Sequence, residues 1–169
     1  MIIRIATTAD IPALNILVNS AYRGESSKKG WTTEADLLDG IRTNEGSLSQ
    51  MLNHNDATIL VADDENTLIG CVYLEGQGEV LYLGMLTVTP ELQGKGLGTA
   101  LLKAAEERAL SIGCKKIKMT VITVRDTLVA YYLRKGYKDT GERKPFPTDP
   151  AFGIAKQPLQ FMVMEKELN

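Results

Sequence analysis

A glycine-rich turn contains the residues of this chain that are best placed for chemistry. Gly94, Gly96 and Gly98 follow an apolar stretch that ends at Val88, and a helical pattern begins at about Gly96. Because glycine has no side chain, the backbone N–H groups of such a turn can approach a ligand closely. The first turn of a helix also has N–H donors without intrahelical partners, at the positive end of the helix dipole. These features favour a phosphate-binding site, and Lys95 adds a positive charge at its rim.

Two common phosphate-binding motifs do not fit this turn. The dinucleotide fingerprint G-x-G-x-x-G requires glycine at position 99 or 101, where the chain has Thr99 and Leu101. The P-loop requires glycine five residues before Gly94, and that residue is Thr89. The pattern that does fit is Q-x-x-G-x-G, formed by Gln93 with two of the glycines. Taken alone, this pattern could also be a tight strand-to-helix turn that binds nothing.

A second motif lies downstream, in a helix predicted over residues 126–135. Tyr132, Gly136 and Tyr137 follow one another at the spacing Y-x-x-x-G-aromatic. Together the two motifs resemble those of the GNAT superfamily, the acyl-CoA-dependent N-acyltransferases, whose second helix usually reads N-x-x-A-x-x-L-Y-x-x-x-G-F. The chain departs from this pattern at Arg125, where many members have asparagine, and at Leu128, the first small position. With the N-terminal pattern of elements, the resemblance covers nearly the whole chain.

The resemblance implies a fold and a cofactor. The fold class is α/β, in the α+β sense of a mixed, strongly twisted sheet of about seven strands flanked by about four helices. The sheet is expected to splay between its central strand and the next parallel strand, within one acetyltransferase domain over residues 1–169. The implied co-substrate is acetyl-CoA, with its pantetheine arm in the splay and its diphosphate on the glycine turn. The residues implied in its binding are Leu86, Thr87, Val88, Gln93, Gly94, Lys95, Gly96, Leu97, Gly98, Thr99 and Arg125.

Acyl transfer to an amine needs a group that protonates the leaving thiolate, and Tyr132 is the candidate. A phenol has an ordinary pKa of about 10, so it is protonated at neutral pH and can still donate to a thiolate. The resemblance implies the same residue. The alternative is a packing tyrosine on an amphipathic helix, with Tyr131 beside it. A backbone N–H of Leu86 or Val88 is implied as the group that polarises the carbonyl.

The sequence leaves the general base open. Some GNAT members have a glutamate on the central strand, eleven residues before the motif glutamine, and here that position is Tyr82. Glu75 and Glu79 lie nearby, although each is better explained as capping or solvating a hairpin. A water relay, or an amine that arrives neutral, is equally compatible. His54 lies in a polar segment typical of a surface turn, and one histidine with two distant cysteines provides no metal constellation.

Contacts with the acceptor are expected from the segment that joins the first two helices and from a proline-rich loop near the end of the chain. The residues singled out are Tyr22, Arg23, Glu25, Trp31, Tyr82 and Phe146. Glu25 could attract a cationic amine, whereas Arg23 could hold a substrate carboxylate, and the sequence does not choose between them. Trp31 could wall a pocket or pin the loop to the core.

These residues must be positioned by alternating strands and helices. Strands are predicted over residues 2–6, 57–62, 67–74, 79–88 and 116–121, from 137 and over 159–165, and helices are predicted behind Thr7 and over residues 96–112 and 126–135. A further helix is predicted from Thr32, with Leu37, Leu38 and Ile41 as apolar positions and a break at Gly46 and Ser47. Short links make residues 57–88 an antiparallel meander, and the helix that follows requires a parallel pairing next. The four prolines among residues 145–158 predict an irregular loop.

Composition narrows the class of protein. The 169 residues suit one domain, and 44% hydrophobic with 24% charged residues is typical of a soluble globular protein. With a net charge of −2 and no basic block, nucleic acid is not expected as a partner. No apolar run reaches the roughly 18 residues of a membrane span, so a cytoplasmic location is expected. Cys71 and Cys114 are predicted to be buried small hydrophobes.

The sequence thus predicts an acetyl-CoA-dependent N-acetyltransferase that acts on a primary amine by direct attack in a ternary complex, without a metal. A small-molecule acceptor is favoured because no acidic or basic docking surface stands out. The alternative is an acyl-CoA-binding regulatory domain that retains the glycine turn and lacks turnover. A homodimer is also considered, since the chain-ending strand often contributes to dimers in this family.

Overall fold

The computed structural model describes residues 1–23, 34–35, 37–147 and 153–169. Glu25, Trp31 and Thr32 therefore lie outside the described residues. The helices of the described part are α1 (Ile11–Tyr22), α2 (Glu45–Asn53), α3 (Leu97–Ser111) and α4 (Asp126–Arg134). None of these helices is long and apolar enough to cross a membrane.

The strands described form a seven-stranded sheet and a separate two-stranded sheet. In chain order they are β1 (Ile2–Ile5), β2 (Leu38–Asp39), β3 (Ala57–Asp64), β4 (Thr67–Gln77), β5 (Val80–Val88), β6 (Lys116–Ile122), β7 (Lys138–Pro145), β8 (Ile154–Ala155) and β9 (Gln160–Glu167). The large sheet has the order β1-β3-β4-β5-β6-β9-β7, and β2 pairs with β8. All neighbours are antiparallel except β5 and β6. The predicted mixed sheet of seven strands is confirmed.

The two parallel strands separate after a short contact. Residues Val80, Leu81 and Tyr82 of β5 pair with β6, but β5 continues to Val88 without further pairing to that strand. The sheet is therefore open between the second half of β5 and its neighbour. This is the predicted splay, and it leaves a gap in the middle of the fold.

A β-bulge shapes the open half of β5. Met85 and Leu86 together stand opposite one residue of β4, Val72, and Met85 has a φ of 55°. The Met85 carbonyl oxygen accepts a 2.9 Å hydrogen bond from the hydroxyl of Thr87 and lies 3.8 Å from the thiol of Cys71. A bulge bends the strand and changes the direction of its backbone groups, so the edge that faces the gap differs from a regular strand.

The core lies on both faces of the large sheet. Along β4 the side chains alternate, so that Val72 and Leu74 pack against α3 while Cys71 and Tyr73 pack on the α1 side. The α3 side buries the apolar positions Leu97, Leu101, Leu102, Ala105 and Ala109. The other side buries Leu14 and Val18 of α1 and Leu48 of α2. Cys71 and Cys114 are buried, as predicted.

The predicted second helix is wrong in its first half. Leu37, Leu38 and Ile41 are not helical, and Leu38 instead begins the short strand β2, which pairs with β8. Gly40 follows this strand with a φ of 94°, a left-handed conformation that no regular helix contains. The apolar spacing of these residues matches a helix, but the pairing with a distant strand determines their structure.

The helix that does form begins later. Asn44 is its N-cap, and the Asn44 side-chain oxygen accepts a 2.8 Å hydrogen bond from the backbone N–H of Ser47. Gly46 and Ser47 lie in the first turn of α2 and do not break it. An asparagine in this place satisfies one of the free N–H groups of a helix start, which is why the helix begins at Glu45.

The end of the chain completes the sheet. The predicted last strand is confirmed as β9, and Pro145 is the last residue of β7. The proline-rich segment contains the short strand β8, where the prediction was an irregular loop throughout, and residues 148–152 lie outside the described part. Because β9 pairs with β6 on one side and β7 on the other, both of its edges are occupied within the chain.

Candidate active site

A cavity of about 500 Å³ lies where the glycine turn meets the open half of β5. Its lining includes Leu86, Thr87, Val88, Gln93, Gly94, Gly96, Gly98, Thr99 and Arg125, all of which are predicted cofactor-binding residues. The two other predicted residues lie elsewhere. The side chain of Leu97 is buried in the core, and Lys95 is exposed. The cavity is referred to below as the loop cavity.

The backbone of the glycine turn explains its composition. Gly94 and Gly96 have φ values of 81° and 88°, which side chains rarely allow. A Cβ atom on Gly96 would meet nothing within 4 Å, so conformation rather than space requires glycine there. Gly96 is the N-cap of α3 and brings no side chain to cap the helix. The N–H groups of the first turn thus have no side-chain cap.

Tyr131 reaches this turn from α4. Its hydroxyl lies 3.4 Å from the hydroxyl of Thr99, and a Cβ atom on Gly98 would lie only 3.2 Å from it. Tyr131 and Arg134 both line the loop cavity, and neither was singled out from the sequence. Their spacing of three residues, which places them on one face of a helix, is the signal that could have found them.

A second cavity, of about 640 Å³, lies on the other side of the gap between β5 and β6. The predicted substrate residues Tyr22, Arg23, Tyr82 and Phe146 line this acceptor cavity. Its lining also includes residues that sequence reasoning did not assign to a site: Glu34, Arg42, His54 and Tyr73. Glu34 and Arg42 belong to the segment that was predicted to be helical, so the direction of their side chains could not be predicted from the sequence pattern.

The two cavities share a wall. Tyr22, Leu86, Arg125, Leu128 and Tyr132 line both of them. The shared residues come from the end of α1, the bulged part of β5 and the start of α4. A group that is transferred from one cavity to the other would pass these side chains.

Tyr132 is the buried member of this wall that can donate a proton. The residue is 5% exposed, and its ring makes edge-on contacts with Tyr131 and Tyr137 at centroid distances of 5.4 Å and 5.9 Å. Burial raises the pKa of Tyr132 well above the ordinary value of 10.0. Within the described part of the chain its hydroxyl forms no hydrogen bond. The proton is therefore retained and is available to a ligand.

A buried carboxylate joins the two arginines at the shared wall. Glu34 accepts a 2.9 Å hydrogen bond from Nε of Arg23 and a 3.1 Å hydrogen bond from Nη1 of Arg125. The three side chains are 5%, 8% and 7% exposed for Arg23, Glu34 and Arg125. Glu34 thus compensates the buried charge of Arg125, which stands at the family's asparagine position.

The carboxylate of Glu75 forms hydrogen bonds within its own strand, β4. Glu75 accepts hydrogen bonds from the hydroxyl of Tyr73 at 2.6 Å and from the side-chain amide of Gln77 at 2.8 Å. These bonds lower the pKa of Glu75 below its ordinary value of 4.5, and the bond from Tyr73 has the larger effect. Nδ1 of His54 lies 3.6 Å from the same carboxylate.

Glu79 and Tyr82 were the other residues considered near the position of the general base. Glu79 forms an exposed ion pair with Lys115 at 3.2 Å. The Tyr82 hydroxyl lies over Gly84, where an added Cβ atom would approach it to 3.3 Å. Among the described residues no group of three or more metal-ligating side chains lies together.

Comparison with known proteins decides the family. Residues 19–137, more than half of the chain, match the model of the acetyltransferase (GNAT) family. The chain belongs to the GNAT acetyltransferase family. The predicted enzyme class, an acyltransferase, is confirmed with it.

Solved structures of GNAT proteins share this fold. The ribosomal-protein-S18-alanine N-acetyltransferase of Escherichia coli superposes with a TM-score of 0.75 at 14% identity, covering 99% of this chain and 94% of that one. The ribosomal-protein-alanine N-acetyltransferase of Brucella melitensis gives 0.72 at 20% identity, with coverage of 99% and 100%. A phosphinothricin acetyltransferase of Sinorhizobium meliloti in complex with AcCoA gives 0.71 at 18% identity, with coverage of 99% and 88%. At these identities the likeness confirms the GNAT fold alone.

Proposed function

We propose that this GNAT protein transfers the acetyl group of acetyl-CoA to the primary amine of a small molecule, by direct attack while both substrates are bound. The observation that carries the proposal is the wall shared by the loop cavity and the acceptor cavity. It allows two ligands to meet at one point, and a meeting in fixed geometry is worth roughly 7–11 kcal/mol of the barrier.

We infer that the loop cavity binds coenzyme A. The free N–H groups at the start of α3 suit a diphosphate, and Arg134 adds a cation at the same cavity. A Cβ atom at Gly98 would lie 3.2 Å from the Tyr131 hydroxyl, so a side chain there would crowd this part of the cavity. The AcCoA complex of the Sinorhizobium meliloti relative supports the same choice. When bound, acetyl-CoA supplies the activated acetyl thioester.

Residues of the shared wall are proposed to perform the chemistry. Tyr132 holds a proton at its phenolic oxygen and donates it to the leaving thiolate. The backbone N–H of Leu86 or Val88, on the unpaired half of β5, orients the carbonyl. Arg125 is proposed to line the cofactor arm while Glu34 holds its guanidinium in place.

The acceptor cavity favours a small molecule. Its volume of about 640 Å³ lies in the range of pockets that enclose drug-sized ligands. Side chains from α1, β4, β5 and β6 surround it, so an acceptor must enter the fold rather than dock on a flat surface. Tyr22, Arg23, Tyr82 and Phe146 are proposed as contacts with this acceptor.

Two measurements on the purified protein test the proposal. Calorimetry with coenzyme A is expected to show binding that is lost in Gly96→Val, since valine cannot adopt the φ of that position without strain. Thiol release from acetyl-CoA is expected to depend on an added primary amine. Binding of coenzyme A without amine-dependent release over a broad amine panel would support the regulatory alternative, and absence of binding would refute both.

A further inference from the structure

One cation of the acceptor cavity is held in a different way from the others. Arg23 and Arg125 form buried ion pairs with Glu34, and the guanidinium carbon of Arg125 also lies 6.0 Å from the centre of the Tyr22 ring. Arg42 is half-buried, lines the cavity and has its guanidinium carbon 5.3 Å from the centre of the Tyr22 ring. No carboxylate in the described ranges forms an ion pair with Arg42.

The backbone that presents Arg42 is fixed to α1. The side-chain oxygen of Asn19 accepts hydrogen bonds from the backbone N–H groups of Arg42 at 2.7 Å and Thr43 at 3.1 Å. The side-chain nitrogen of Asn19 donates to the Thr43 carbonyl oxygen at 3.0 Å. Arg23 donates to the carbonyl oxygen of Ile41 at 3.1 Å. The arginine is thus held on a rigid support before any ligand arrives.

The Arg42 side chain forms no hydrogen bond with the described residues, so its donors are available to a ligand. The five N–H donors lie along the edge of the planar guanidinium. That edge matches the two oxygens of a carboxylate. Arg23 differs from Arg42, because its guanidinium already donates hydrogen bonds to Glu34 and to the carbonyl oxygen of Ile41.

The same tyrosine connects Arg42 with the reaction point. The ring of Tyr22 lies beside Arg42, and its hydroxyl donates to the carbonyl oxygen of Leu86, on the shared wall. An anion on Arg42 is therefore one side chain away from the bulged strand. We infer that the acceptor is an amino acid whose carboxylate is bound by Arg42 while its amine faces the shared wall. This inference rests on the proposed function and specifies its substrate class.

The test compares amino acids with their carboxamides, in which an uncharged group of similar size replaces the carboxylate, at a pH high enough for the amines of both series to be neutral. In the wild-type protein we expect each reactive amino acid to have a kcat/KM roughly 10- to 100-fold above that of its carboxamide, since a charge-assisted bidentate contact is lost. In Arg42→Ala, kcat/KM for the amino acids is expected to fall by a similar factor, chiefly through KM. The carboxamides should change by less than about threefold, and Arg42→Lys should recover part of the loss.

Arg143→Ala is the matched control, because Arg143 is an arginine of the outer strand β7 that pairs with Asp139 and lines neither cavity. It should leave both series unchanged. Equal losses for amino acids and carboxamides in Arg42→Ala would overturn the inference, as would a wild-type preference for the carboxamides. Thermal melting checks that each variant is folded.

Direct binding separates this inference from the proposed function. Calorimetry measures the binding of the same amino acids to the complex with coenzyme A. Binding that depends on Arg42 without thiol release would sustain the inference and refute the proposed acetyl transfer. If amines without a carboxylate are acetylated, and no amino acid is bound or acetylated, the inference is overturned while the proposed acetyl transfer is sustained. Failure of the whole panel to bind would also overturn it.

Discussion

The hydroxyl of Tyr22 donates a 2.5 Å hydrogen bond to the carbonyl oxygen of Leu86, and this bond ties the end of α1 to the bulge of β5. Burial raises the pKa of Tyr22 to about 12, so the phenol keeps its proton throughout the neutral range. Because the guanidinium carbon of Arg42 lies 5.3 Å from the centre of the same ring, Tyr22 contacts both the strand edge at the shared wall and the proposed carboxylate-binding arginine.

Removing that hydroxyl should weaken the fold slightly. Tyr22→Phe keeps the ring but leaves the half-buried Leu86 carbonyl without its donor, so the free energy of unfolding should fall by about 1 kcal/mol. Urea denaturation measures the change. Tyr82→Phe is the control, since its hydroxyl forms no hydrogen bond within the described ranges, and equal stability of the two variants would contradict the prediction.

Tyr132→Phe should separate turnover from cofactor binding. Loss of the proposed proton donor is expected to lower kcat at least about tenfold. The affinity for coenzyme A should change by less than about twofold, because the ring and its packing against Tyr137 remain. Steady-state kinetics and calorimetry check the two quantities. Unchanged turnover would remove Tyr132 from the mechanism.

The neighbouring tyrosine should show the opposite pattern. Tyr131 lies beside Thr99 at the start of α3, so Tyr131→Phe is expected to weaken coenzyme A binding roughly 3- to 10-fold through a lost hydrogen bond. Its kcat at saturating acetyl-CoA should stay close to that of the wild type. A loss of kcat equal to that of Tyr132→Phe would show that the two roles have been assigned to the wrong residues.

The alkaline pH dependence follows from the burial of Tyr132. A general acid must be protonated, and a pKa raised well above 10.0 keeps it so at higher pH than an exposed tyrosine. At saturating substrates kcat should therefore not decline between neutral pH and about pH 10. A decline below pH 9 that disappears in Tyr132→Phe would contradict the assignment.

The sequence predicts the parts of the candidate site that depend on local chemistry, and the roles of these residues stay predictions. The glycine turn is required by backbone conformation and a helix start, both of which are visible in neighbouring residues such as Gly94 and Gly96. Tyr132 was singled out from its spacing to Gly136, which follows the end of α4. The predicted family and the predicted seven-stranded sheet are confirmed. Both could be predicted because strand lengths and the lengths of the links between strands are local features of the sequence.

The parts that were missed depend on contacts between distant segments. Leu37, Leu38 and Ile41 have the spacing of a helix, and pairing of β2 with β8 overrides it. Arg42 reaches the acceptor cavity because Asn19, on another element, holds its backbone. The N-cap Asn44 was the one local signal that could have placed the start of α2 correctly.

Arg125→Asn restores the family residue and should nevertheless harm this protein. The change removes one of the two guanidinium groups that hold the buried Glu34 carboxylate. We expect the free energy of unfolding to fall by about 1–3 kcal/mol, since a buried charge loses a hydrogen-bonded partner. The double variant Arg125→Asn with Glu34→Gln should recover part of that loss. Stability equal to that of the wild type in the single variant would show that Glu34 does not depend on Arg125.

The N-terminal strand should confer an acid-sensitive part of the stability. Two 2.9 Å hydrogen bonds from Arg4 to Asp10 lower the pKa of that carboxyl below 3.8. A lowered pKa in the folded state means that the stabilisation is present above the ordinary pKa and is lost as pH falls through the folded value. At pH 7, Asp10→Asn should therefore be less stable than the wild type by about 1–2 kcal/mol.

The same reasoning sets the control for this variant. The difference between Asp10→Asn and the wild type should shrink steadily below about pH 4, as measured by urea denaturation across the acid range. Asp139→Asn removes a similar bond to Arg143, but on a solvent-exposed strand where water screens the charges, so it should have a smaller effect. If the loss of stability in Asp10→Asn does not depend on pH, the ion pair with Arg4 is not the cause of that loss. The loss would then come from the hydrogen bond that Asp10 accepts from the backbone N–H of Thr7.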